Sequence, residues 1–498
     1  MSFLQGQTTF EKTYGSSNYE EIWESKILSD STIVHAGYTK FGNAYFIKTK
    51  LNGDTIWTKE LVDAGLDLIY SVQETADKGI IAAGRSSSYG SGGLDVYLVK
   101  LNKNGNVLWR KAIGGSADES ANEIKQTFDM GFVIVGNTYS YGAGGNDFYI
   151  IKTDSLGNIL WTKTIGSNLN DNAYSVFETY NKDIVVAGLT TESNIDVMIA
   201  RLDKNGTIKW VNKYGNSGDD RANSIIENSN KELIINGHYN GADILMFKTD
   251  SLGAVLWAKS YGGLATDWGY SVKGTKDNNL IFCGYQGGVS SFGNEYLIVK
   301  TNQLGDTLWA KNYGGLNSQF ATNIEEYSDK SIFVTGYSQI AGSNYDYLIV
   351  KTDSLGQTYC TNRNAAITVS VITLNTAAKI YTVSSGGSVS SGSQTINSFC
   401  TTSVLCQSPL IYTDVSEKNK SNTTKIYPNP TSNLLYLKFN SNDINCINVT
   451  NTLGINIFSA VTTDNTFKID LSANSKGIYL LSITDSIGGK TIHKIILE

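Results

Sequence analysis

The chain has 498 residues, 41% of them apolar and 17% charged, with a formal charge of −6. This balance fits a folded β-rich protein and excludes both a disordered chain and a basic polyanion-binding footprint. No run of about 18 apolar residues marks a transmembrane helix, and five cysteines without a C-x-x-C pair signal neither zinc nor dithiol chemistry.

The first residues, SFLQGQ, read like the end of a secretory signal peptide, which sets residues 1–7 apart. One unit then repeats from residue 8 to 358. Tryptophans at 57, 109, 161, 210, 257 and 309 are spaced by 52, 52, 49, 47 and 52 residues, and a period of that length marks a repeat architecture. Each unit runs in the same order: a stretch such as DNAYSVFET (171–179), then DIVVAG (183–188), a Gly/Ser/Tyr loop, and a strand such as DVYLVK (95–100). A DSLG, NKNG or DKNG turn leads to the tryptophan strand. Short β-branched stretches between Gly, Asn and Asp turns are strands, four to a unit. Glycine in the last turn supplies the φ > 0 of a tight reversal, and tryptophan brings the largest apolar area to the outermost strand.

FVIVG (132–136), LIFCG (280–284) and YLIVK (347–351) are apolar at consecutive positions, so these sheets are expected to be covered on both faces. The first and last units are as apolar as the middle ones, which predicts a closed ring rather than an open array. Seven inner strands begin near Glu20, Asp67, Glu119, Asp171, Asp220, Asp267 and Gln319. The last turn, TDSLGQTYC (352–360), ends without a tryptophan, while FEKTYG (10–15) aligns with WAKSYG (257–262). The expectation is an all-β seven-bladed β-propeller of four-stranded blades. Residues 8–14 supply the seventh outer strand, with Phe10 in tryptophan's place.

Residues 359–423 are Ser/Thr-rich, with alternation in ITVSVITL (367–374), and read as a hairpin or small β segment followed by a linker. Cys400 and Cys406 are candidates for pairing, with Cys360 competing. Residues 424–498 carry alternating strands suited to a small β-sandwich.

The repeats resemble the β-propeller units of secreted bacterial proteins, and their turn-to-tryptophan portion resembles the docking motif of pyrroloquinoline-quinone propellers. It departs from that motif in having leucine or asparagine before the glycine. The C-terminal region resembles the type A sorting domain of type IX secretion cargo. The resemblance rests on Tyr427, Pro428, Asn429 and Pro430, the Asn451/Gly454 turn, IDLS (469–472), the Lys476, Gly477, Tyr479 turn and strand, and a closing strand with Lys494. It implies export through the type IX machinery to the exterior or surface of a Gram-negative bacterium, with removal of the domain and release or attachment to lipopolysaccharide.

Chemistry is sparse. His35, His238 and His493 are the only histidines, too few for a zinc cluster or a Ser-His-Asp triad, and no catalytic residue, metal or cofactor is assigned. Two carboxylates suffice for glycoside hydrolysis, so a polysaccharide-active enzyme stays as the alternative, beside a purely structural surface component. Glu20, Asp67, Glu119, Asp171, Asp220 and Asp267 would ring one mouth of a central channel, or else accept backbone N–H groups in the turns. A second acidic position, at Asp95, Asp147, Asp196, Asp243, Glu295 and Asp346, opens the third strand as a turn cap. Loops after the second strand vary in length and text, and offer Tyr89, Tyr139, Tyr141, Tyr239, Tyr285, Phe292, Tyr337 and Tyr345 as an adaptable contact surface. The expected function is an exported binding or adhesion module that contacts an extracellular glycan or protein, not nucleic acid.

Overall fold

The computed structural model describes residues 9–15, 20–290, 293–314, 318–339, 345–358, 360, 362–379, 381–384, 386–391, 395–397 and 401–407. In the C-terminal region it describes 425–439, 445–451, 456–462, 464–472, 474–484 and 490–498. The signal-peptide reading of residues 1–7 and the candidates Phe292, Cys400 and Gly454 lie outside the described residues, as does the side chain of Cys406. Two compact units divide the chain, residues 1–411 and 412–498.

All regular structure among the described residues of the first unit is β. It forms seven antiparallel sheets, numbered here in chain order. Their inner strands are Glu20–Ile27, Asp67–Glu74, Glu119–Gln126, Asp171–Glu178, Arg221–Glu227, Asp267–Gly274 and Gln319–Glu326. In sheets one to six, the next three strands follow by hairpins, as the turn chemistry predicts. Sheet seven has only two such partners, Ile332–Gln339 and Tyr345–Thr352. Its fourth strand is Phe10–Gly15, antiparallel to Tyr345–Thr352 in the register Phe10↔Lys351 to Tyr14↔Tyr347.

The tryptophan strands have a common packing role. Trp57, Trp109, Trp161, Trp210, Trp257 and Trp309 each lie against the hairpin glycine of the following sheet, at Gly105, Gly157, Gly206, Gly253, Gly305 and Gly356. All six glycines have positive φ, and a side chain there would meet the indole as well as backbone strain. Phe10 lies in the same way against Gly53 of sheet one. The Tyr14 hydroxyl donates to the Gly53 carbonyl at 2.5 Å, as Tyr214, Tyr261 and Tyr313 donate to Gly253, Gly305 and Gly356 at 2.8, 2.5 and 2.6 Å. Phe10, Tyr14, Ile22, Tyr45, Tyr347 and Ile349 share one buried cluster drawn from sheets one and seven.

Each sheet holds the four expected strands and a fifth added at its outer edge, so the tryptophan strand is not the outermost. The expected hairpin after residue 359 is instead a belt. Its strands, Arg363–Asn364, Thr368–Val371, Asn375–Ala378, Thr382–Ser384, Ser388–Ser391, Thr395–Asn397 and Thr401–Gln407, each add an outer edge to a different sheet. They take sheets six, five, four, three, two, one and seven in turn, and the last pairs with Phe10–Gly15. Between these strands the belt docks by single groups. Leu374 is buried with Ile372 beside Tyr214, Tyr149 donates to the Gly386 carbonyl at 2.6 Å, and Thr164 meets Ser384 at 2.7 Å. A long, flat, apolar edge is a template for aggregation, and short Ser/Thr-rich strands blunt it. Cys360, at the start of the belt, is disulfide-bonded.

The second unit holds a three-stranded and a four-stranded sheet around a core that includes Leu435, Leu437, Ile447, Val449, Ile469, Leu481 and Ile495.

Candidate functional site at the channel mouth

Every inner strand carries a bulge. One residue is skipped between Ile22 and Glu24, Ile69 and Ser71, Ala121 and Glu123, Ala173 and Ser175, Ala222 and Ser224, Gly269 and Ser271, and Ala321 and Asn323. The partner opposite is always glycine: Gly37, Gly84, Gly136, Gly188, Gly237, Gly284 and Gly336. A Cβ at any of these would stand 1.7–2.0 Å from a carbonyl oxygen of the inner strand. The glycine ending each second strand is thus required by the bulge. The skipped residue joins its successor on the free side of the strand, so two adjacent side chains enter the same space.

That space is a cavity of about 500 Å³, lined from all seven inner strands. The skipped residues Trp23, Tyr70, Asn122, Tyr174, Asn223, Tyr270 and Thr322 all line it. Their successors Glu24, Glu123, Ser175, Ser224, Ser271 and Asn323 also line it. Several of these accept an N–H from the next inner strand. Val72 donates to Glu24 at 2.9 Å, Ile124 to Ser71 at 3.2 Å, Val176 to Glu123 at 2.5 Å, Ile225 to Ser175 at 3.2 Å and Val272 to Ser224 at 3.2 Å. Amides that the bulges leave without a ladder partner are satisfied by the neighbouring sheet.

The side chains in and around the cavity are unevenly distributed among the seven sheets. Aromatic rings follow one another through Tyr38, Tyr70, Trp23, Tyr337, Phe320, Tyr285 and Trp268 to His238, with centroid separations of 4.4–6.4 Å. The run crosses sheets two, one, seven, six and five. Sheets three and four contribute Ser120, Asn122, Asn137, Asn172 and Tyr174 instead. Arg85 stands over the Tyr70 ring at 5.7 Å and Arg221 over the Trp268 ring at 5.5 Å, one at each junction of the aromatic and amide arcs. The floor is charged and self-compensated. Lys125 lies 2.6 Å from Glu123 and 3.5 Å from Glu24. Burial pushes the Glu24 carboxyl up, but Lys125, Lys273, the Ser71 hydroxyl and the Val72 N–H outweigh it and hold it below the ordinary range.

The structure places the predicted acidic ring in turns away from this cavity. Asp171 accepts the Ser167 N–H at 2.6 Å, Asp267 the Gly263 and Gly287 N–H groups at 2.6 and 3.0 Å, Asp220 those of Asn216 and Asn240 at 3.0 and 2.9 Å, and Glu119 that of Gly115 at 2.7 Å. Asp67 accepts the Ser88 hydroxyl at 2.7 Å, and Glu20 is buried. The two recurrent acidic positions face each other across sheet junctions, one from each sheet. Asp95 with Glu119, Asp147 with Asp171, Asp196 with Asp220 and Asp243 with Asp267 flank Gly114, Gly166, Gly215 and Gly262. Burial first, and the facing acid after it, pushes Asp95, Asp147, Asp267 and Asp346 up to about 6. Lys213 relieves Asp196 at 2.6 Å, and Arg363 of the belt pairs with Glu295.

The predicted tyrosines separate into two groups. Tyr285, Tyr337 and Tyr345 converge at the mouth, where Tyr345 meets Tyr337 at 5.4 Å. Tyr89 stacks on Tyr97 under Arg110 and donates to Asp63. Tyr141 packs on Tyr149 and donates to the Gly114 carbonyl. The Tyr239 hydroxyl accepts from Asn216, and Tyr139 stands exposed. Trp23, Tyr70, Trp268, Tyr270 and Phe320 were not among the predicted site residues, although the bulge beside the recurrent glycine marks Trp23, Tyr70 and Tyr270, and Trp268 and Phe320 pair with the predicted Tyr285 and Tyr337.

In the second unit, Asn429 ties the opening motif to the last strand, donating to the Lys494 carbonyl at 2.7 Å and accepting the Ile496 N–H at 2.9 Å. Tyr427 stacks on Tyr436 at 6.0 Å. Tyr479 is buried in the core while Lys476, Gly477, Pro428 and Pro430 are exposed.

Residues 425–498 match the secretion system C-terminal sorting domain, and residues 75–107 match a β-propeller domain of unknown function (DUF5122). Among solved structures the chain is similar to PorZ, a surface component of the type-IX secretion system of Porphyromonas gingivalis. The identity is 10% and the TM-score 0.40, over 96% of this chain and 59% of that one. It is also similar to Trypanosoma rangeli sialidase, at 12% identity and TM-score 0.30 over 68% and 55% of the two chains. A GH43 endo-arabinanase from Bacillus licheniformis matches at 11% and 0.26, over 59% and 96%. No curated protein sequence matches the chain. Among the described residues no helix is long and apolar enough to cross a membrane. A type IX sorting domain follows a β-propeller domain, and the protein is a secreted or cell-surface protein of Bacteroidetes-type bacteria.

Proposed function

We propose that the seven sheets form a closed seven-bladed propeller, exported by its C-terminal domain, which acts as a binding or adhesion module with its ligand seated at the channel mouth. Closure is supported by Phe10 and Tyr14, which make toward Gly53 the contacts that tryptophan and tyrosine make at the other junctions. The propeller domain then spans residues 8–407, belt included. After processing, the mature form is released or attached to lipopolysaccharide.

The observation that carries the binding reading is the aromatic arc of Trp23, Tyr337, Phe320, Tyr285 and Trp268, whose two ends line a cavity of a size that suits a small ligand or the end of a larger one. Flat aromatic faces bind with little loss of conformational freedom and suit glycan or protein alike. Glycoside hydrolysis is less well supported. It needs one carboxyl kept protonated near neutral pH, whereas Glu24 is held in its charged form, and Glu123 is bound to Lys125 and an amide. A glycan array and an affinity capture with the full chain should return a ligand whose binding Tyr285→Ala or Tyr337→Ala weakens about tenfold. Silence on both, or unchanged binding by both variants, refutes the reading.

A further inference from the structure

Arg85 and Arg221, the two arginines of the cavity wall, stand without a counter-charge among the described residues. Among the described residues no carboxylate lies within ion-pair distance of Arg85 or Arg221, and the Nε of each is buried without a hydrogen-bond partner. Elsewhere the chain pairs its arginines: Arg110 with Asp63, Arg201 with Asp183 and Arg363 with Glu295. Shielding part of a guanidinium from water with no counter-charge beside it is costly unless something else completes it. Both line the cavity, each stands over an aromatic ring, and both flank the amide arc that includes Asn137 and Asn172.

We infer that the channel mouth binds an acidic oligosaccharide, the two arginines taking the carboxylates of uronic acid units. The inference rests on the binding-module reading and adds the ligand's class. The division of chemistry around the mouth suits such a molecule. Guanidinium groups match carboxylates in a planar, two-pronged geometry. Asn137 and Asn172 offer amides that donate to and accept from sugar hydroxyls. Trp23, Tyr174 and Tyr270 bring aromatic surface to the cavity wall, onto which the C–H face of a pyranose packs. The carboxylates that line the cavity, Glu24 and Glu123, are already bound to Lys125, so they do not cancel the two arginines.

Calorimetry with the full chain tests this, using trimers of galacturonate, glucuronate and mannuronate, each beside its uncharged counterpart, and a tri-glutamate peptide. At least one uronate should bind tenfold or more tightly than its neutral partner and than the peptide, with a preference that shrinks as salt rises. Arg85→Gln and Arg221→Gln should each cut that affinity at least fivefold, with neutral-sugar binding and the melting temperature unchanged. If either variant fails to fold, Asn137→Asp, which sets a negative charge beside the arginines, should lower uronate affinity in the same way. Equal affinity for charged and neutral sugars overturns the inference and leaves the binding module standing. Equal affinity for tri-glutamate overturns the carbohydrate class. No binding by any uronate overturns it too, while the array and capture experiment judges the binding module separately.

Discussion

The sheet junctions and the channel mouth are built from the same inner strands, a few residues apart, yet they are written in opposite ways. At the junctions the chain repeats itself. An acid opens nearly every inner strand, another opens the third strand, glycine stands opposite each bulge, and each tryptophan or Phe10 meets the next hairpin. At the mouth the chain refuses to repeat. The seven skipped residues are Trp, Tyr, Asn, Tyr, Asn, Tyr and Thr. A position that must satisfy the same backbone seven times is constrained alike seven times, whereas a position facing a single ligand is not. Repetition therefore marks what holds the sheets together, and variation marks what they present.

The largest effect expected is on the repeated side. Gly136→Ala sets a Cβ 1.8 Å from the Ser120 carbonyl oxygen, and should cost about 3 kcal/mol in thermal unfolding by forcing the bulge apart. An unchanged melting temperature would mean that the bulge is not rigid. Next, Glu24→Ala removes the acceptor of the Val72 N–H and the Ser71 hydroxyl, and deprives Lys125 of one partner. It should destabilise by about 2 kcal/mol, read by denaturant titration, and the loss should shrink in Glu24→Gln.

A smaller effect follows from the junction acids. A carboxyl raised to about 6 in the fold but near 4 when unfolded holds its proton only in the folded state between those values. Its stabilising contribution is present in full below the unfolded value and is lost as the pH rises through about 6. Buried His35, lowered to about 3 in the fold, works in the opposite direction over much of that range, so a single melting curve mixes the two. Comparison with Asp147→Asn removes the histidine, which both proteins share. The variant should gain a few degrees on the parent at pH 8 and nothing at pH 4. A constant offset across the range would contradict the facing-acid account. The smallest effect on stability, within about 0.5 kcal/mol, belongs to Tyr139→Ala on the exposed loop.

The repeat period, the D/N-x-x-G turns and the missing last tryptophan made the sheets legible, because each is a local rule with a local residue. The sorting motifs were legible for the same reason. The belt was not. Its strands are two to seven residues long, and its apolar anchors come too far apart for a strand pattern to register. A Ser/Thr-rich text that pairs with seven partners reads like one that pairs with none. The mouth was half legible. Tyr285 and Tyr337 were named from their loops, but Trp23 was passed over, because a bulge puts Trp23 and Glu24 on the same side and breaks the period of two. Tyr89 and Tyr141 misled because their hydroxyls are already engaged by Asp63 and the Gly114 carbonyl, a fact of packing that no spacing carries.

The most direct test sets the two kinds of position against each other in one titration. For whichever glycan or protein the array and capture return, the dissociation constants of Trp23→Ala and Tyr139→Ala are measured beside the parent. Weakening of tenfold or more by Trp23→Ala, with Tyr139→Ala unchanged, is the predicted result. The reverse order would move the contact surface out to the loops and contradict a site at the channel mouth.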